Sequence, residues 1–233
     1  MNKLCSVFSV AFLANLTFSP AAEYEIKGHI LSEPTRNNTA FFTNRLIALP
    51  ANEERIQNMG DLLNQITEDG QLNGMFYESG EKKDLLWIQK KRDLLLGNLE
   101  KGLVNTRFFY LKNNPEKLVC FVGAELSYFD ESPDALVPFW GTDLNFQGKG
   151  LTSEALRGFV LADILRDPAF TSLIISIHPA NVASAHLAEH VLNANKVRDG
   201  MNHSKTQPRA FYEVSTEKLT IKSEGFPAIS WAS

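Results

Sequence analysis

Phe146-Gln147-Gly148-Lys149-Gly150-Leu151-Thr152-Ser153-Glu154-Ala155-Leu156 is the stretch whose reading decides the fold. Ahead of it, Ala135 to Leu144 is rich in Leu, Val, Phe and Trp and reads as a strand. Pro138 and Gly141 inside that strand predict a bulge, since proline removes a ladder donor and glycine permits a bend. Behind it, Leu151 to about Arg166 reads as a helix. Leu151, Ala155, Leu156, Phe159, Val160, Ile164 and Leu165 cover a wide apolar face, as in a helix packed on a sheet. The two glycines let the backbone turn tightly with its N–H groups on one side, and the helix N-terminus adds a partial positive charge. Strand, glycine turn and helix together make a site for a phosphate or pyrophosphate.

Two familiar phosphate motifs do not fit. A dinucleotide fingerprint needs a third small residue where Ser153 stands and a fully buried strand before the turn, which Pro138 opposes. A P-loop needs Ser or Thr after its lysine, and Lys149 is followed by Gly150.

Outward from this stretch, the pattern alternates between two periods. Phe41 to Leu49 reads as a strand. Asn52 caps a helix carrying Ile56, Met59, Leu62, Leu63 and Ile66 at helical spacing. After a loop from Gly70 to Gly80, Lys82 to Leu103 reads as a second helix, with Leu85, Leu86, Ile88, Leu94, Leu95 and Leu99 as its buried face. Arg107 to Lys112 and Leu118 to Phe129 read as strands. On the other side, Ser172 to Ile177 is a short buried strand, Asn181 to Leu192 a helix, and two strands follow around Val197 and over Phe211 to Ser215. The order gives an α+β, mixed α/β single domain.

Composition bounds the rest. The chain has 233 residues, a formal net charge of −4 and 44% hydrophobic residues, which argues for a folded domain and against a surface devoted to nucleic acid. Two cysteines exclude a disulfide-stapled scaffold. Met1-Asn2-Lys3, the apolar run Leu4 to Phe18 and Ser19-Pro20-Ala21 read as a secretory signal peptide, since fifteen helical residues reach only about 22 Å. Residues 1–21 are thus a leader, 22–40 an irregular lead-in, 41–216 the domain and 217–233 a C-terminal tail. Removal of the leader takes Cys5 and leaves Cys120 as the single thiol, expected to be core.

The segment from Phe146 to Leu156 resembles the pyrophosphate loop of the GNAT acetyltransferases, Gln/Arg-x-x-Gly-x-Gly/Ala, and its Thr-Ser-Glu-Ala continuation is similar to the ribosomal-protein N-terminal acetyltransferase (Rim-type) branch. Thr43-Asn44-Arg45-Leu46-Ile47-Ala48-Leu49 resembles that branch's opening strand. Asn181-Val182-Ala183-Ser184, with Glu189 five residues after Ser184, resembles its Asn-x-x-Ser helix. The resemblance implies a GNAT-like fold: a central, mostly antiparallel twisted sheet with a splayed parallel pair, flanked by helices. It also implies acetyl-CoA as co-substrate, no metal, and direct attack by a primary amine in a ternary complex. The acceptor would be a protein N-terminus, a lysine or a small molecule.

The resemblance further implies that Gln147, Gly148, Lys149, Gly150, Leu151 and Thr152 hold the pyrophosphate, and that Trp140, Gly141 and Thr142 present backbone groups to the pantetheine arm. Asn181 would orient that arm or a water, and Ser184 would donate a hydrogen bond to the departing thiolate. Glu125 or Glu213 would act as general base, directly or through water. The sequence departs from the pattern at Thr152, bulkier than the usual small residue, at Leu192-Asn193 where a Gly-Phe normally closes the helix, and in having no tyrosine on that helix. A monomer or homodimer with no nucleic-acid partner, and no membrane partner once mature, is expected. The leader points to export, and use of acetyl-CoA to a cytosolic compartment, of the cell or of a host.

Two other classes compete. His186-Leu187-Ala188-Glu189-His190 matches the His-x-x-Glu-His of zinc hydrolases, with a third ligand required from Glu213, Glu217 or Glu224. A fold of this kind that binds CoA or a peptide without turnover is the other.

Overall fold

The computed structural model describes residues 39–77, 80–101, 104–127, 129, 132, 134–166, 170–202 and 204–232. The expected leader and most of the lead-in lie outside them. The strands are β1 (Phe41–Phe42), β2 (Leu46–Pro50), β3 (Val104–Leu111), β4 (Asn114–Leu126), β5 (Ala135–Thr142), β6 (Ser172–Ile177), β7 (Asn195–Met201), β8 (Pro208–Ser215) and β9 (Ser230–Trp231). Among the described residues they form one sheet in the order β7-β8-β6-β5-β4-β3-β2-β1-β9. Every pairing is antiparallel except β5 with β6. The helices are α1 (Glu53–Leu63), α2 (Leu85–Glu100), α3 (Leu151–Phe159), α4 (Val182–His186) and α5 (Thr216–Ser223). α3 and α4 each run on into a wider, five-residue-spaced turn, Val160–Ile164 and Leu187–Val191. Among the described residues no helix is long and apolar enough to cross a membrane.

Alternation along the strands divides the core into two layers. On one face Phe109, Cys120, Val122, Ala124, Leu136, Leu173 and Ile175 pack with Leu151, Ala155, Leu156 and Phe159 of α3 and with Ala188 and Val191 behind α4. On the other, Phe108 and Phe121 pack with Ile56, Met59 and Leu62 of α1 and Leu95 of α2. Helix starts follow their capping chemistry: the side chains of Asn52, Asp84, Asn181 and Ser215 each accept a backbone N–H three residues on. α3 is the exception, because its capping residue is Gly150.

Three expectations need correction. α2 buries only Ile88 and Leu95 fully, while Leu85, Leu86 and Leu94 are 64%, 56% and 43% exposed. Its leucines surround more of the helix than the one stripe that α1 and β3 can cover. β5 has no bulge against β4, for the register runs unbroken from Cys120↔Thr142 to Leu126↔Leu136. The irregularity that Pro138 causes falls on the other edge of β5. The tail is part of the fold: Leu219 of α5 is buried, β9 pairs with β1, and Trp231 lies 5.6 Å from Phe41 ring to ring and 4.4 Å beneath the Arg166 guanidinium.

β3 is tied to the α3 layer by a buried ion pair. Arg107, whose side chain is fully buried, donates to both Asp163 oxygens at 3.1 and 2.8 Å and to the Thr39 carbonyl at 2.9 Å. Removing one charge of such a pair leaves the other desolvated. Asp163→Asn is therefore expected to cost about 3–5 kcal/mol of unfolding free energy, measured by urea denaturation. A loss below about 1 kcal/mol would show that the pair does not hold α3 to the sheet.

Candidate functional site

β5 and β6 pair at only two positions, Ala135↔Ser172 and Leu136↔Leu173, and then part. The side of β5 that faces the gap follows from two hydrogen bonds. The Ala135 carbonyl accepts from Ser127 N–H at 2.9 Å, and Asp143 N–H donates to the Val119 carbonyl at 2.9 Å. Residues 135, 137, 139, 141 and 143 thus point their backbone groups at β4, and 136, 138, 140 and 142 point theirs away from it. Pro138 brings no N–H to the gap, so a longer ladder with β6 would be broken there. The backbone groups of Pro138 and Trp140 lie along the opening. Of the three expected residues of this strand, Trp140 and Thr142 face the gap with their backbone and Gly141 does not. The Thr142 carbonyl already accepts from Asn73 Nδ2 at 2.8 Å.

At the open end the chain turns through Gln147-Gly148-Lys149-Gly150 into α3. Gly148 and Gly150 have φ of +70° and +69°, left-handed values that a side chain would strain. The first N–H bonded inside the helix is that of Glu154, to the Gly150 carbonyl at 3.1 Å. The N–H groups of Leu151, Thr152 and Ser153 precede it and have no intrahelical partner, and Gly150 at the capping position has no side chain to offer them. Among the described residues no side chain fills this cradle of N–H groups, a geometry suited to an anion.

Glu154 fixes the cradle to the rest of the molecule. Its carboxylate accepts from the Thr43 hydroxyl at 2.6 Å, from Arg45 N–H at 2.7 Å and from Arg45 Nε at 2.6 Å. Arg45 also donates to the Lys149 carbonyl at 3.1 Å. The opening-strand motif and the helix motif, 109 residues apart, thus meet in a single cluster. On the other flank Asn73 donates to the carbonyls of Leu62 and Thr142 and accepts from Gln147 Nε2 at 2.9 Å. Gln65 holds Asp143 and the Leu144 N–H. Gln65 and Asn73 were hidden to sequence reading because they lie outside any motif, at the end of α1 and in the loop after it. The Thr152 hydroxyl is bonded to the Thr142 hydroxyl at 2.6 Å, joining β5 to α3. The Lys149 ammonium donates to the Asn145 carbonyl at 2.7 Å.

Beyond β6, Asn181 caps α4 through its side-chain oxygen, which accepts Ser184 N–H at 3.1 Å. The Ser184 hydroxyl accepts from Trp140 Nε1 at 3.1 Å, across the gap. Trp140 and Ser184 lie on the α3 and α4 face of the sheet. Glu125 lies on the other, since its neighbours Ala124 and Leu126 belong to the first. It pairs with Val137, about 10 Å along β5 from Trp140, so the structure does not bring Glu125 and Ser184 together. Glu213 is on the face of Glu125, opposite Ile174, and exposed.

On that second face the loop from Gly70 to Gly80 and the β7–β8 hairpin meet at the end of β6. The Phe76 ring stacks on His178 at 4.8 Å, and Gly80 sits so close to Gln207 that a Cβ would lie 2.6 Å from its amide. Burial holds the His178 imidazole below its usual pKa, and the neighbouring Arg209 charge acts in the same direction.

Cys120 is buried, and burial pushes its thiol well above the usual range, so it is core. The His186 and His190 rings lie 4.5 Å apart, tilted by 45°, on an exposed surface, but among the described residues no third His, Cys, Asp or Glu joins them as the zinc reading requires.

No family model matches the sequence, and no curated protein is similar to it. Solved structures are. The aminoglycoside acetyltransferase AAC(6')-Ib, solved with ribostamycin and coenzyme A, superposes with a TM-score of 0.61 at 14% identity, over 76% of this chain and 97% of that one. A GNAT-family acetyltransferase from Bordetella pertussis gives 0.59 at 16% identity, over 75% and 98%. RimL, the ribosomal L7/L12 α-N-protein acetyltransferase solved with coenzyme A, gives 0.55 at 13% identity, over 74% and 95%. The fold of this chain is that of the GNAT acetyltransferases.

Burial pushes the Glu154 carboxyl up, and its bonds from Thr43 and Arg45 outweigh that and hold it below the usual carboxylate range. A carboxyl lowered on folding contributes stability that is complete above its unfolded pKa of about 4.3 and is lost as pH falls through the folded value. Glu154→Gln is expected to be less stable than the wild type at pH 7, with the difference closing below about pH 4, as thermal unfolding across pH would record.

Proposed function

We propose that the protein is an acetyl-CoA-dependent N-acetyltransferase acting on a primary amine. The observation that carries the reading is the continuity of the uncapped α3 cradle with the unpaired edge of β5. One elongated ligand with a phosphate at one end and amides along its arm satisfies both. Coenzyme A supplies that shape and, when acetylated, a thioester that an amine can attack. The N–H groups from Gly148 to Ser153 hold the pyrophosphate, Pro138 and Trp140 pair with the arm, and Asn181 meets it from α4.

The two faces of the sheet divide the chemistry. An amine enters from the side of Glu125 and Glu213, where the loop bearing Phe76 and the β7–β8 hairpin meet. Glu125 takes the amine proton, directly or through water. Ser184, on the opposite face, donates a hydrogen bond to the sulfur as the carbon–sulfur bond breaks and the carbon–nitrogen bond forms. A base on one face and a hydrogen-bond donor to the leaving sulfur on the other suit a direct displacement between them. Solved neighbours act on an aminoglycoside and on a protein N-terminus, which supports an amine acceptor of either size.

Calorimetric titration of residues 22–233 with acetyl-CoA is expected to give micromolar-range binding, about −8 kcal/mol. Gly150→Arg, which strains the turn and fills the cradle, should abolish it while thermal unfolding shows a folded chain. Free thiol should then appear only when an amine is supplied. No binding by the folded wild type would overturn the reading, and binding without thiol release over an amine panel would leave a CoA-binding protein without turnover.

A further inference from the structure

The bond across the gap gives Ser184 a defined direction. An indole N–H is a donor only, so Trp140 Nε1 must give its proton to Ser184 Oγ, at 3.1 Å. The main chain of Ser184 is fixed independently, its N–H held by Asn181 Oδ1 at 3.1 Å. Among the described residues the hydroxyl proton of Ser184 has no acceptor. A hydroxyl whose oxygen accepts a bond is polarised and becomes a stronger donor. The indole spans from β5 to the first turn of α4, beside the edge where β5 and β6 have parted.

We propose that Trp140 is a positioning residue for Ser184, filling the acceptor side of its hydroxyl so that the hydroxyl proton points at the sulfur of bound coenzyme A and hydrogen-bonds it. This rests on the acetyl-CoA reading above. The sulfur leaves as a thiolate and accepts a hydrogen bond without taking the serine proton, and it is protonated by solvent after release. Trp140 acts through Ser184 and exchanges no proton with the substrate.

The test uses the thiol itself. Bound coenzyme A is titrated with pH in the wild type, Trp140→Phe, Ser184→Ala and the double variant, following ultraviolet thiolate absorbance. The bound thiol is expected to ionise at lower pH in the wild type than in free coenzyme A. Each single variant should move it back towards the free value, and the double variant no further than Ser184→Ala alone. In turnover, Trp140→Phe should lower kcat about tenfold with KM for acetyl-CoA changed less than twofold. Additive effects, or a thiol moved by Ser184→Ala and not by Trp140→Phe, would overturn the role of Trp140. A thiol unmoved by Ser184→Ala would overturn the role of Ser184, and absence of calorimetric binding would overturn the acetyl-CoA reading itself. If Trp140→Phe does not fold, the Trp140 indole proton resonance serves instead. It should shift between wild type and Ser184→Ala, and an unchanged resonance would contradict the bond.

Discussion

β5 cannot stay paired with β6, and the site follows from that constraint. Pro138 stands where a ladder to β6 would need an N–H, two residues beyond the last paired position, Leu136↔Leu173. β4 holds the other edge of β5 in register all the way to Thr142. The sheet therefore stays intact on one side and opens on the other. Backbone groups at the opening are exposed to whatever enters between the strands. An unpaired strand edge inside a domain costs free energy unless a ligand or water satisfies it.

Around the gap, side-chain bonds hold the glycine turn and the start of α3 in place. Glu154, Thr43 and Arg45 lock the first turn of α3 onto the start of β2, Asn73 and Gln65 lock the loop before α3 onto α1, and Thr142 bonds Thr152. The cradle is rigid because three separate parts of the chain hold it. Its own N–H groups stay uncapped, in contrast to the helices that Asn52, Asp84, Asn181 and Ser215 close. Preorganised donors of this kind bind an anion without first having to be ordered.

Much of this was legible in the sequence because it is local. The glycine turn, the wide apolar face of α3, the β-branched run Ser172–Ile177 and the Asn52 cap each depend on neighbours within one element. The misreadings came from tertiary context. α2 carries more leucines than its one contact stripe can bury, so its periodicity named too wide a face, with Ile88, Leu95 and Leu99 packed and Leu85, Leu86 and Leu94 exposed. Pro138 and Gly141 pointed to a bulge that the unbroken β4–β5 register does not contain, because which edge of β5 a proline interrupts depends on the neighbouring strands. The C-terminal segment looked like a tail because Leu219 and Trp231 are isolated apolar residues that gain meaning only against β8 and Phe41. Within the site, the motif residues could be named from the sequence, whereas the bond between Thr43-Asn44-Arg45 and Glu154, the brace of Asn73 and the Trp140–Ser184 contact are relations between distant elements.

The central claim is that the gap between β5 and β6, with the α3 cradle at its mouth, is where coenzyme A binds. Amide and indole N–H resonances of the isotope-labelled protein, followed during titration with coenzyme A, test it most directly. The largest shifts are predicted at Gly148, Gly150, Thr152 and the Trp140 backbone and indole N–H groups, with His186 and His190 unmoved. Shifts confined to surfaces away from β5 and α3, or none at saturating ligand, would contradict the account.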